Sequence, residues 1–160
     1  MALSKGLTLV EVIIVIGIIS ILTSFSGFSL IRSRNVASMD SVTATIISDI
    51  RSQQLKSMNG NIQIGNQSPY NGIYFKPDGY VLFRTQTYES SNSDNYEINL
   101  SVDNQFSVIN LPDNQIVFSD LGGEILNYDP VRNFITVRNI NSGQEETLYF
   151  NLYGVVYETN

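Results

Sequence analysis

The chain has 160 residues, with 9 Lys and Arg against 15 Asp and Glu, a formal charge of −6, no Cys and no His. Lacking both Cys and His, it has no means to build disulfides, thiolate or most transition-metal sites, a cysteine nucleophile or most hydrolytic triads. So acidic a chain displaces few counterions from a polyanion, so nucleic acid is not an expected partner, and the length accommodates one membrane span plus one domain of modest size.

The first six residues, Met1-Ala2-Leu3-Ser4-Lys5-Gly6, form a short leader that precedes the apolar run Leu7-Thr8-Leu9-Val10-Glu11-Val12-Ile13-Ile14-Val15-Ile16-Gly17-Ile18-Ile19. A secretory signal carries its cleavage site after the apolar region, which cutting therefore removes. Here the order is reversed, so cleavage after Gly6 keeps the apolar helix and creates a new amine at Leu7. Leu7 and Glu11 then stand four apart on one helical face. An acidic side chain at the centre of a membrane helix costs roughly 2.5 to 3.5 kcal/mol, so Glu11 implies a partner group and a task. The local alternative stays open: an acid one turn into such a helix sits at headgroup level or neutralises its own N-terminus.

The span is expected over 7–31, interrupted by Thr8, Ser20, Thr23, Ser24, Ser26 and Ser29. A helix of that length rises about 37 Å against a hydrocarbon core about 30 Å thick, enough for one tilted crossing. Lys5 lies before it and Arg32 and Arg34 just after it, so flanking charge does not set the orientation. From 32 to 58 there is no Pro or Gly, and Val36, Met39, Val42, Ile46 and Ile50 recur at helical spacing, which predicts an amphipathic continuation docked under the following domain. Asn59-Gly60-Asn61 supplies the stop.

Residues 59–160 read as a β-rich domain. Strands are expected at 72–75, 80–88, 96–102, 106–111, 115–119, 124–128, 134–140 and 146–157. Turn chemistry separates them at Lys76-Pro77-Asp78-Gly79, Asp129-Pro130 and Asn141-Ser142-Gly143, and Ser90-Ser91-Asn92-Ser93-Asp94 reads as an exposed loop. The expected fold class is α+β, a long N-terminal helix with a membrane half and an amphipathic half packed against antiparallel sheets.

The junction Lys5-Gly6, a large apolar residue, then Thr8-Leu9-Val10-Glu11-Val12 resembles the processing signal of type IV pilins and type II secretion pseudopilins. The resemblance covers the leader and the span, and beyond them it is architectural. It implies a pilin-like fold, cleavage by a prepilin peptidase between Gly6 and Leu7, and methylation of the Leu7 amine. It also implies that Glu11 neutralises the Leu7 amine of a neighbouring subunit as helices bundle into a filament. The partners implied are the peptidase, other pilin or pseudopilin subunits, the inner-membrane assembly platform and membrane lipid. The implied location is a single pass through the inner membrane, N-terminus cytoplasmic and C-terminal domain periplasmic or extracellular. Two departures stand out: the first mature residue of the family is usually Phe and here is Leu7, and the proline many members carry near the end of the span is absent. The lack of a Cys-closed C-terminal loop leans toward a minor pilin or pseudopilin.

The early Tyr74-Phe75-Lys76-Pro77-Asp78-Gly79 and the late Asn151-Leu152-Tyr153-Gly154-Val155 resemble the GspH/FimT group of minor subunits. Its DNA-binding branch carries a basic motif after the late glycine, whereas Gly154 here is followed by Val155-Val156-Tyr157-Glu158. Asp94, Glu97 and Asp103, with Asn92, Asn95 and Asn104, offer oxygen ligands without the spacing of a calcium loop, and a solvated acidic loop accounts for them. The tyrosines fit half-buried strands as well as a glycan or partner surface. The expectation is a filament subunit of a secretion pseudopilus or pilus, with no metal, no cofactor and no catalytic role. Its rivals are a non-polymerising membrane-anchored β-domain and a DNA-uptake minor pilin.

Overall fold

A computed structural model of the chain describes residues 8–59, 70–154 and 156–159, the side chains of 23–38 and 157–159 excepted. The leader, Gly6, Leu7, the stop residues Gly60 and Asn61, and the Val36 side chain therefore lie outside the described residues. The chain divides into two compact units, Met1–Ala37 and Ser38–Asn160. Helix α1, Leu9–Met58, supplies the described part of the first and the opening turns of the second.

In the second unit the fold is α+β, with two antiparallel four-stranded sheets. One has the order β3-β2-β1-β5, from β1 (Asn71–Lys76), β2 (Gly79–Phe83), β3 (Tyr96–Asn99) and β5 (Gln115–Phe118). The other has the order β4-β6-β7-β8, from β4 (Asn104–Asn110), β6 (Phe134–Asn139), β7 (Glu145–Phe150) and β8 (Val156–Thr159). The β1–β2 hairpin turns at Pro77-Asp78 with Lys76 opposite Gly79, as its turn residues predict. Both turn carbonyls are taken up: Pro77 accepts the Phe106 N–H and Asp78 the Leu100 N–H, each at 2.9 Å.

One core joins the helix to both sheets. Met39, Ile46 and Ile50 of α1 pack with Ile73, Phe75, Tyr80, Ile116 and Phe118 of the first sheet and Phe106, Ile135, Val137, Leu148 and Phe150 of the second. The inward helical face follows Met39, Thr43, Ile46, Ile50, Gln53 and Ser57, all buried. That corrects the expected stripe: Val42 is only half-buried at its edge, and three polar residues take inward positions. They are tolerated where their hydrogen bonds are met. Thr43 Oγ1 donates to the Met39 carbonyl at 3.0 Å and lies 2.5 Å from Glu146 Oε2. Ser57 Oγ accepts the Asn71 N–H and Nδ2, each at 3.2 Å.

The strand boundaries need three further corrections. The strand expected at 80–88 ends at Phe83; Tyr88 instead lies back across the sheet, its ring stacked on Tyr74 at 4.1 Å and its N–H held by Gln115 Oε1 at 2.9 Å. The segment 124–128 is no strand, because its polar groups go to scattered partners: Ile125 bridges Phe118 and donates to the Leu152 carbonyl, while Asn127 Oδ1 accepts the Val117 N–H at 3.2 Å. The segment 146–157 is two strands. Asn151 Oδ1 accepts the Tyr153 N–H at 2.9 Å, the Asn151 carbonyl accepts the Gly154 N–H at 3.0 Å, and Gly154 adopts φ +69°, so the chain reverses into β8. A 3-10 turn at Pro112–Asn114, with Asp113 and Asn114 left-handed at φ 52° and 54°, was not signalled by periodicity.

Candidate functional site

In the first unit the described helix begins at a cap. Thr8 Oγ1 accepts the Glu11 N–H at 3.3 Å, and the Thr8 carbonyl takes the first helical bond, from Val12 at 3.2 Å. Thr8 and Glu11 thus occupy the two ends of the Thr-x-x-Glu pattern that satisfies orphan donors at a helix start, with an acid in the turn where the helix dipole favours one. Thr8 is a residue whose role went unread in the sequence, although the three-residue spacing to Glu11 carries the signal.

From Leu9 to Leu22 the large apolar side chains are exposed on every side, from 42% for Val12 to 78% for Leu9. A helix apolar all round is one that lies buried in its working environment. Ser20 keeps its hydroxyl occupied on the helix itself, donating to the Ile16 carbonyl at 2.8 Å. Among the described residues no helix is long and apolar enough to cross a membrane. Of the expected span 7–31, Leu7 and the side chains of 23–31 lie outside those residues, as do both residues of the expected cleavage junction, Gly6 and Leu7.

The second unit brings two loops together at the end of α1. Gln54 Nε2 donates to the carbonyls of Gly123 and Tyr153, each at 2.8 Å, and the Leu121 N–H reaches the Ser57 carbonyl at 3.1 Å. Leu121 sits at φ +61°, a strained region for a leucine, and is 68% exposed. The acidic residues considered as calcium ligands do not converge. Glu97 pairs with Lys76, Asp103 Oδ1 accepts from Asn141 at 2.8 Å, and the Asp94 N–H closes a turn on Asn92 Oδ1 at 2.9 Å. Among the described residues no cluster of three His, Cys, Asp or Glu side chains has the geometry to hold a metal ion.

Three cations of this unit face carboxylates. Lys76 meets Glu97, Arg132 Nε meets Asp129 Oδ2 at 2.8 Å, and Arg138 lies 3.8 Å from Glu145. The Glu97 hydrogen bond holds the Lys76 ammonium above its ordinary value, and the Arg132 hydrogen bond holds the Asp129 carboxyl below its own. Comparison with protein-family models, curated proteins and solved structures found no match to the chain.

Proposed function

We propose that the protein is a minor pilin or pseudopilin, a non-catalytic subunit of a type II secretion pseudopilus or type IV pilus-like filament. In this reading a prepilin peptidase cuts between Gly6 and Leu7 and methylates Leu7. A helix then runs unbroken from the inner membrane into an exported β-domain. The observation that carries the reading is Glu11, the lone acid of the stretch 9–22, whose exposed apolar side chains surround it. Glu11 lies in the first turn, where the helix dipole returns about 0.3 to 1 kcal/mol, short of the roughly 2.5 to 3.5 kcal/mol that an acid costs when carried to the centre of the bilayer. A cation from a neighbouring Leu7 amine supplies the difference. Other pilin subunits, the assembly platform and lipid are its partners.

A second reading is supported by the Thr8 cap: a single-pass anchored β-domain that stays monomeric, its leader retained and Glu11 serving only its own helix start. Mass spectrometry of the N-terminus in the native membrane separates the two. A methylated Leu7 supports the filament subunit; a chain that still begins at Met1 or Ala2 overturns it.

A further inference from the structure

Of the three polar residues on the inward face of α1, Thr43 and Ser57 meet hydrogen-bond partners. The third, Gln53, is 3% exposed, and its amide makes no hydrogen bond to the described residues. A buried amide without a partner costs stability that a leucine of similar bulk would not. Gln53 lines a cleft of about 260 Å³, together with Lys56, Leu82, Arg84, Asp94 and Tyr96.

Three parts of the second unit build this cleft. Gln53 and Lys56 stand three apart on α1, neighbours on one helical face. β2 brings Leu82, and β3 brings Tyr96 opposite it in register, so the two share one face of the sheet. The loop before β3 brings Asp94 and is tied down: Asn95 Nδ2 donates to the Glu89 carbonyl at 2.8 Å, and the Asp94 N–H to Asn92 Oδ1 at 2.9 Å. Lys56 takes part in no ion pair among the described residues, and Tyr96 is 66% exposed. The wall thus offers an ammonium, a carboxylate, an amide that both donates and accepts, and an aromatic side chain.

We infer that the cleft binds one hexuronate unit of an acidic glycan. Its volume lies below the roughly 300 Å³ at which pockets for drug-sized ligands begin, which suits a single ring whose neighbours continue into solvent. A sulfate would meet Lys56 but has no proton to give Asp94, and a neutral sugar leaves the Lys56 ammonium unused. A uronate answers both. Its carboxylate takes the Lys56 ammonium in a charge-assisted hydrogen bond, and its hydroxyls donate to Asp94 and exchange hydrogen bonds with the Gln53 amide. Its apolar ring face lies on Tyr96.

Full-length chain in a detergent without sugar headgroups, titrated with a galacturonate trimer and followed by calorimetry and saturation-transfer NMR, is expected to bind with a dissociation constant on the order of 1 mM or tighter. No saturable binding at about ten times that concentration overturns the inference. The methyl-esterified trimer lacks the charge and is expected to bind roughly tenfold or more weakly; equal affinity overturns the uronate assignment. A glutamate tripeptide that binds as tightly as the sugar overturns it in favour of an acidic protein partner. Lys56→Gln, at an exposed position, is expected to weaken trimer binding roughly tenfold with an unchanged urea midpoint, and undiminished affinity sinks the inference. Gln53→Leu is expected to lose binding while the urea midpoint stays the same or rises. A lowered midpoint with affinity intact marks Gln53 as structural and overturns the site. The cleft belongs to the second unit and its binding is read on single chains, so this result and the N-terminal mass of the native chain stand or fall separately.

Discussion

Thr8 and Glu11 meet at the start of α1, hydroxyl oxygen to amide nitrogen at 3.3 Å, so the acid is held at a helix terminus by its backbone while its carboxylate stays available. The two residues therefore separate two roles by experiment. Thr8→Ala removes a cap worth about 1 kcal/mol and frays the first turn. It is expected to leave filament incorporation largely intact. Glu11→Ala keeps the cap acceptor and is expected to permit insertion and cleavage yet abolish co-purification with filaments. Quantifying membrane-extracted and filament-bound chain for both variants checks this, and normal incorporation of Glu11→Ala would refute the pairing role.

Tyr80 couples the domain to alkaline pH. Burial first, then its hydrogen bond to Asp49 Oδ2 at 2.5 Å, pushes the phenol above its ordinary value of 10.0. A group raised in the folded state contributes stability that is complete below its unfolded value and is lost as pH climbs toward the folded one. Stability is thus expected to fall with pH above about 10, and Tyr80→Phe to flatten that slope at a cost of about 1 kcal/mol near neutrality. Urea unfolding at a series of pH values measures both.

Gly72 faces the outer surface of the first sheet, opposite Phe83. A Cβ there would lie 2.4 Å from Phe83 Cζ and 2.8 Å from the Ile116 carbonyl oxygen, and Phe83 is itself 1% exposed. Gly72→Ala is expected to destabilise the domain by about 1 to 3 kcal/mol, the range for overpacking, read as a lowered denaturation midpoint.

Gln54 clasps two loops with one amide. Gln54→Leu keeps the bulk and removes both hydrogen bonds, with an expected loss of about 1 kcal/mol for carbonyls that water partly reaches. The local effect is expected to exceed the global one. Amide exchange at Gly154, whose N–H turns on Asn151, should accelerate more than exchange in β6.

The parts of the fold legible in the sequence are those with a period or a turn signature. Pro77-Asp78 marked its hairpin because proline fixes φ and aspartate tolerates tight turns. Met39, Ile46 and Ile50 marked the helix face because three- and four-residue spacing lies on one side of a helix. Thr43, Gln53 and Ser57 are polar, so their inward positions carry no periodic signal. The burial of Thr43 and Ser57 depends on partners such as Glu146 and Asn71, far away in the chain, which no local pattern reveals. Asn151-Leu152-Tyr153-Gly154 carried a turn signature hidden inside an apolar run, and the aromatic residues on either side outweighed it. Tyr88 reads as strand by composition but spends its ring on Tyr74, a tertiary contact that overrides local preference. At the candidate site, Glu11 was legible as a charge among aliphatic residues, whereas the Thr8 cap needed attention to a spacing of three.

The clasp at Gln54 also bears on where the domain is able to mature. It joins loops that are 69 and 99 residues away in sequence without any sulfur chemistry. Its closure needs neither an oxidant nor a disulfide isomerase, so the domain is expected to reach the same state in a reducing cytosol as in an oxidising envelope. Thiol reagents would then leave its maturation rate untouched.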